Sequence, residues 1–406
     1  MGTKITRREL LKLTGLGLAG AVIGASGLGG VVHLLSDDEP ELVSNKIPFH
    51  GKHQAGITTK HQLNVYFASI DFTGNSEADL KKLFKVWTAY SEQLTQGKMV
   101  DESGNGYVPP IDTGEAIGLD AANLTLTYGI GPSLFENSKL GWQSKKPAEL
   151  KDLPHFPKDQ LQEQWTGGDI CIQACADDPQ VAFHAVRNLL RAGSGLVKLK
   201  WSQAGFISIP DNNETPRNLF AFKDGTVNPR TEDELNEHVW VKNSSPSWFN
   251  DGTYLVYRRI QMHLETWDRT SLNQQEDTFG RYRQSGALFG QTKEKDETDV
   301  FAKDVEGKPV IPKNSHVYLS RLAGQVIYRR PFSYSSDIIT ETGAYDAGML
   351  FISFQKSPNQ FIAIQNSLGR VDKLNEYITH RGSAIFACLP GVKKGSYLGE
   401  ALFTSL

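Results

Sequence analysis

The 406-residue chain is 39% apolar and carries a formal net charge of only -3, which is enough apolar content for two cores and no global basic field. That balance argues against nucleic acid as a partner. Cys171, Cys175 and Cys388 are an odd number set in apolar, strand-like runs, so they read as small buried hydrophobes and not as a disulfide framework, zinc site or iron–sulfur site.

In chain order, Thr6-Arg7-Arg8-Glu9-Leu10-Leu11-Lys12 precedes an uncharged run, Leu13 to Ser36, broken by seven glycines. Twin arginines before a weakly apolar, glycine-rich segment look like a twin-arginine export signal over residues 1–36. The run is also long enough to span a bilayer, and no A-x-A pattern closes it, so retention as an anchor stays open. Residues 37–48 form an acidic linker and order begins near Ile47. Leu63 to Phe72 reads as a strand, and Ser76 to Leu94 as a helix with Leu80, Leu83, Phe84, Trp87 and Leu94 on one face, opened by a cap at Ser76 and Asp79. Gln96 to Gly118 is a polar loop and Leu124 to Tyr128 a second strand. Lys145 to Gln164 shows no period and holds a loop histidine, His155. Asp169 to Ala174 is a strand leading into Asp178-Pro179, an N-cap and first-turn pair for a helix through Arg191, with His184 a packing or surface residue on it.

The same order returns downstream. Thr253 to His263 alternates as a strand, Trp267 to Gly280 is a polar helix or loop, and Val317 to Leu322 and Val326 to Tyr328 flank a tight connection. Met349 to Gln355 is then a strand feeding Ser357-Pro358 and a helix from Asn359 to Leu368. Strand, polar residue plus proline, then amphipathic helix thus occurs in both halves. This predicts an α+β chain in which a βαββαβ plan is used twice, with two antiparallel sheets and helices packed on one face, as residues 49–213 and 214–406.

Two stretches carry chemistry. In Asn218 to Arg230, NLFAFKDGTVNPR, Asp224 follows Phe220, Ala221 and Phe222 and precedes Gly225, which places a carboxylate beside rings at a structured turn. In Asn314 to Tyr334, a lone His316 is followed by the pair Arg329-Arg330. Taken singly, a Lys-Asp-Gly turn, a histidine in an apolar run and paired arginines are ordinary surface or core features.

Together, FKDGTVNP, the lone histidine and RRxxSY resemble the dye-decolourising (DyP-type) haem peroxidases, and among them the exported subfamily linked to iron uptake. FHGKHQAGI (49–57), LTLTYGIGPSLF (124–135), GGDICIQACADDPQVAFHAVRNLL (167–190), Trp267-Asp268-Arg269 with Phe279-Gly280-Arg281, and residues 348–403 carry the same likeness. The resemblance implies two ferredoxin-like domains of the DyP and chlorite-dismutase type of α/β barrel, with one haem b per chain held mainly by the second. It also implies hydrogen peroxide as oxidant, a dye, phenol or ferrous iron as reductant, iron-permease components as possible partners, a homo-oligomer, and a periplasmic or extracytoplasmic, membrane- or surface-associated place of work. One departure stands out: the family's GxxDG motif reads Ala221-Phe222-Lys223-Asp224-Gly225 here. Alanine suits a negative φ and is strained at a positive one, and a negative φ is expected because the surrounding motif is kept.

The resemblance makes His316 the axial ligand of haem iron, ahead of His50, His53 and His61. Asp372 is the expected carboxylate behind its other ring nitrogen. Asp224 is expected to carry the peroxide proton and Arg329 to meet the charge that develops as the O–O bond breaks. Gly225, Thr226 and Val227 would lie along the cofactor and Asn228 would offer a further hydrogen bond. Carboxylates are ionised at neutral pH, so a proton-carrying Asp224 predicts an acidic optimum. Trp201, Trp240, Trp248, Trp267, Tyr254 and Tyr257 are available for electron transfer but read mostly as core. A different class of function also fits: release of iron from haem with the porphyrin intact. An exported α+β domain without cofactor is the plain alternative.

Overall fold

The computed structural model describes residues 45–101, 104–210, 214–296 and 299–405. The export signal and most of the linker lie outside the described residues, among which no helix is long and apolar enough to cross a membrane.

The first half follows the expected order. Strand β1 (Asn64–Phe72) leads into helix α1 (Glu77–Leu94), whose Ser76 side chain accepts from the Asp79 N–H and whose buried face is Leu80, Leu83, Phe84, Trp87 and Leu94. Strands β2 (Thr125–Ile130) and β3 (Ile170–Ala176) follow. Asp178 then caps helix α2 (Pro179–Ala192) by accepting from the N–H groups of Gln180 and Val181, with Pro179 in the first turn. Strand β4 (Val197–Phe206) closes the unit, and the spatial order is β2-β3-β1-β4, antiparallel throughout.

The second half repeats it with β5 (Thr253–Met262), β7 (Phe332–Ile339), β8 (Ala344–Gln355) and β9 (Ile378–Cys388), arranged β9-β5-β8-β7. In each half the first strand lies between the third and the fourth, and the second strand pairs with the third. A two-residue strand, β6 (Tyr328–Arg329), pairs with β8 just before β7, and Pro331, which has no N–H to donate, marks the break between them. Between β5 and β6 lies helix α3 (His316–Leu322), capped by Ser315; helix α4 (Pro358–Leu368), capped by Ser357, connects β8 to β9.

The two four-stranded units are not separate sheets. Gly129 of β2 pairs with Cys388 of β9, and Phe206 of β4 pairs with Ser333 of β7, so both pairs of edges are joined and the eight long strands form a ring of antiparallel pairings. Joining the edges removes the unpaired N–H and C=O rows that each unit would otherwise expose. Alternate residues of β1 then enter two cores. Val65 and Phe67 pack with Leu255, Tyr257, Leu350, Ile352 and Phe386 from the other half, inside the ring. Ala68 and Ile70 pack outward against the apolar faces of α1 and α2.

The cysteines are free and buried, as expected. Cys171 and Cys388 pair with Gly129 from opposite sides, so their Cα atoms are two strand spacings, about 9–10 Å, apart and beyond disulfide reach. Trp267 to Gly280 resolves into two short helices, Leu264–Asp268 and Leu272–Phe279, the second ended by Gly280 at φ 80°. The expected tight connection between residues 322 and 326 has a helix on its near side and a strand on its far side.

Candidate active site

The Asp224 loop is shaped by its own side chains. Asn218 Oδ1 accepts from the N–H groups of Phe220 (3.0 Å) and Phe222 (3.2 Å), and the Ala221 N–H donates to the Asn218 carbonyl at 2.9 Å, which turns the chain back on itself. This fold puts Ala221 at φ +67°, so the expected negative φ is wrong: the alanine sits in the left-handed region that favours glycine. The Arg217 guanidinium holds the strained peptide by donating to the Ala221 carbonyl at 2.7 Å and to the Arg283 carbonyl at 2.6 Å. Phe220 and Phe222 are buried against Trp267 and Phe279, with Phe222 stacked on Phe279 at 4.1 Å. The rings anchor the loop and leave the carboxylate at its edge.

Asp224 Oδ1 meets Arg329 Nη1 at 2.9 Å, and both side chains stay partly open, 16% and 26% exposed. Asn228 fixes the backbone of its partner: its Nδ2 donates to the Arg329 carbonyl at 2.6 Å and its Oδ1 accepts from the Arg329 N–H at 2.9 Å. Thr226 donates to Glu294 Oε1 at 2.8 Å, and Lys223 pairs with Glu294 at 2.8 Å and Glu214 at 3.0 Å. Burial opposes ionisation of Glu294, but hydrogen bonds from Lys223, Thr215 and Thr226 outweigh it and hold the carboxyl below its ordinary range. Gly225 has φ 101°, and the Val227 side chain is exposed.

His316 opens α3. Its Nδ1 donates to Asp372 Oδ2 at 2.8 Å, and the second oxygen of Asp372 accepts from the Leu374 N–H at 2.9 Å. Asp372 therefore belongs to the cap of a short 3-10 turn, Lys373–Glu376, and not to a helix running on from Leu368. Its side chain is only 2% exposed, so the carboxylate reaches the imidazole from a protected position. With Nδ1 carrying the proton, Nε2 is left with its lone pair.

The rival histidines are committed elsewhere. His50 pairs with Glu92 at 2.9 Å, His53 stacks on Trp240 at 3.7 Å and bonds the Asp251 carbonyl, and His61 is half-buried with its Nε2 enclosed and its pKa pushed down to about 3, mainly by desolvation and then by Arg330. His155 is exposed. His184 is buried on α2 between Asp112 and Glu115, a packing role. The six candidate electron-transfer residues, Trp201, Trp240, Trp248, Trp267, Tyr254 and Tyr257, are all buried.

Sequence reasoning missed two cations. Arg281 is buried, its Nη1 lies 3.4 Å from Thr226 Oγ1, and burial followed by the nearby Arg329 lowers its pKa while Asp224 and Glu294 oppose the shift; Arg321 of α3 acts on it too. Phe279 links the His316 helix to the Asp224 loop, with its ring 6.2 Å from His316 and stacked on Phe222; Arg281 and Arg321, being like charges, repel. The available signal was the Phe279-Gly280-Arg281 run. The donor set suits an iron porphyrin: one imidazole with an oriented lone pair, rings on one side, and Arg281, Arg321 and Arg329 to match an anionic macrocycle.

The comparisons agree with this chemistry. Residues 54–207 match the model of the Dyp-type peroxidase N-terminal domain and residues 215–393 that of the C-terminal domain. The chain is 37% identical over 416 residues to a deferrochelatase of Escherichia coli (strain K12), covering 98% of this chain and 96% of that one. A DyP-type peroxidase of Streptomyces coelicolor superposes with a TM-score of 0.82 at 33% identity, covering 89% and 97% of the two chains. Ferric DtpA of Streptomyces lividans gives a TM-score of 0.81 at 34% identity, covering 88% and 96%.

Proposed function

This chain belongs to the Dyp-type peroxidase family, a family of haem enzymes, and on that premise we propose that Asp224, Arg329 and His316 form its reaction centre. The observation that carries the reading is the Asp224–Arg329 ion pair, held by Asn228 on a loop whose Phe222 stacks on Phe279, the ring that lies edge-on to His316. Haem, when bound, supplies the iron at which hydrogen peroxide is reduced. His316 Nε2 would hold that iron, and the Asp372 carboxylate keeps the proton on Nδ1 and fixes the orientation of the ring. Asp224 accepts a proton from peroxide at one oxygen of its carboxylate and returns it to the departing oxygen. The Arg329 guanidinium offsets the negative charge that grows as the O–O bond breaks, and fixes the carboxylate between transfers. Gly225, Thr226 and Val227 border the cofactor as backbone. The reductant is a dye, a phenol or ferrous iron.

Three substitutions test this. His316→Ala is expected to lose the Soret absorption of bound haem. Asp224→Asn and Arg329→Leu are expected to keep it while losing about 10²–10⁴ in peroxide turnover. Full turnover in both Asp224→Asn and Arg329→Leu would refute the assignment.

The 37% identity to deferrochelatases favours a second reading, iron release from haem with the porphyrin intact. Haem-loaded protein incubated anaerobically without peroxide is expected to yield free protoporphyrin under this reading and none under the first. The twin arginines at Arg7-Arg8 support export by the twin-arginine route to an extracytoplasmic place of work, with iron-permease components and a second copy of the chain as partners.

A further inference from the structure

We infer that Arg330 is a positioning residue: it clamps the segment Thr59–Gln62 of the first half to the strand that carries Arg329, and so holds the Arg329 guanidinium against Asp224. The inference rests on the reading of Arg329 given above. Arg330 is 0% exposed. Its Nη1 donates to the Thr59 carbonyl at 2.7 Å, its Nη2 to the Lys60 carbonyl at 3.2 Å and to Gln62 Oε1, and the Cys175 thiol lies within hydrogen-bond reach. All of these partners are neutral, and Nε has none among the described residues. A fully buried cation satisfied by neutral oxygens is a poor device for stability, since a well-packed apolar residue in its place avoids the desolvation.

Its place in the chain explains its presence. Successive side chains of a strand point to opposite faces, so Arg329 reaches Asp224 while Arg330 turns into the protein. The Arg330 N–H donates to the Ile352 carbonyl at 2.8 Å, and Pro331 then interrupts the pairing. On the other side Asn228 holds both the N–H and the C=O of Arg329. Any twist of this short segment that withdraws the Arg329 guanidinium must also pull Arg330 from its three oxygen acceptors. The first half thereby completes a centre whose other residues all come from the second.

The test compares haem-loaded wild type with Arg330→Met, Arg330→Lys, Gln62→Leu and Arg329→Leu. For each, peroxide kcat/KM per bound haem and the thermal midpoint are measured. Arg330→Met is expected to lose about tenfold or more in peroxide kcat/KM per bound haem. Arg330→Lys, with fewer donors, falls between, and Gln62→Leu, which removes one acceptor outside the strand, loses several-fold. A clamp that serves stability alone lowers the midpoint and the haem content but leaves turnover per haem unchanged, and that result overturns the inference. If Arg330→Met does not fold, Gln62→Leu decides by the same readout. Unchanged turnover in Arg329→Leu would instead overturn the reading of Arg329; lost turnover there with normal turnover per haem in Arg330→Met and Gln62→Leu sinks only the clamp.

Discussion

Acid is expected to weaken the fold, and two desolvated imidazoles contribute to the slope. His61 lies between Gln62, Phe332 and Arg330, and His380 lies beside Arg258; burial, with those guanidiniums second, pushes each pKa from an ordinary 6.5 down to about 3. Because the folded value is the lower one, the unfolded chain takes up these protons first. The stability that the neutral rings contribute is complete above about pH 6.5 and drains away as the pH falls toward about 3. Each such proton is worth about 1.4 kcal/mol per pH unit, so at pH 5 each histidine removes about 2 kcal/mol and the pair about 4 kcal/mol, against a total of about 5–15 kcal/mol for a typical domain. The assay is urea unfolding of the haem-loaded protein at pH 7.5 and pH 5, comparing wild type with His61→Asn. The variant is expected to lose about 2 kcal/mol less than wild type between the two conditions, whatever its absolute stability. An equal loss would show that His61 is not held neutral in the fold.

Ala221 at φ +67° is strained by about 1 kcal/mol, so Ala221→Gly is expected to raise the thermal midpoint by about 1–3 °C in a scanning measurement, with peroxide turnover retained. Asp372→Asn keeps the size of the group behind His316 but removes its charge; peroxide turnover measured by stopped flow is expected to fall about 10–100-fold with haem still bound. Asn228→Ala leaves the N–H and C=O of Arg329 without their side-chain partner, and kcat/KM for peroxide is expected to fall about tenfold or more; an unchanged value would mean that the strand alone positions Arg329.

Much of the local structure was legible because it is decided within a few residues. The apolar spacing of α1, the Asp178-Pro179 and Ser357-Pro358 helix starts and the alternation of β5 all depend on side chains that meet along one element. The repetition of that order in both halves was visible for the same reason. Ala221 marks where local reading failed. Its left-handed backbone is imposed by Asn218 three residues earlier and by an Arg217 guanidinium that also grips the Arg283 carbonyl, so the decisive contacts include one with no trace in the motif.

By itself the sequence determined the α+β class, the doubled βαββαβ plan, the family and the residue types a haem peroxidase requires, because periodicity, capping and short motifs are written in neighbouring positions. Tertiary structure alone decided that the two units join edge to edge into one ring, and that Arg281 and Arg321 share the site's electrostatics. It also decided that Arg330, beside the strand that carries Arg329, is anchored on carbonyls some 270 residues earlier. Strand edges, buried charges and backbone acceptors carry no residue code for their distant partners; only folding brings the two sides within the 3 Å at which they interact.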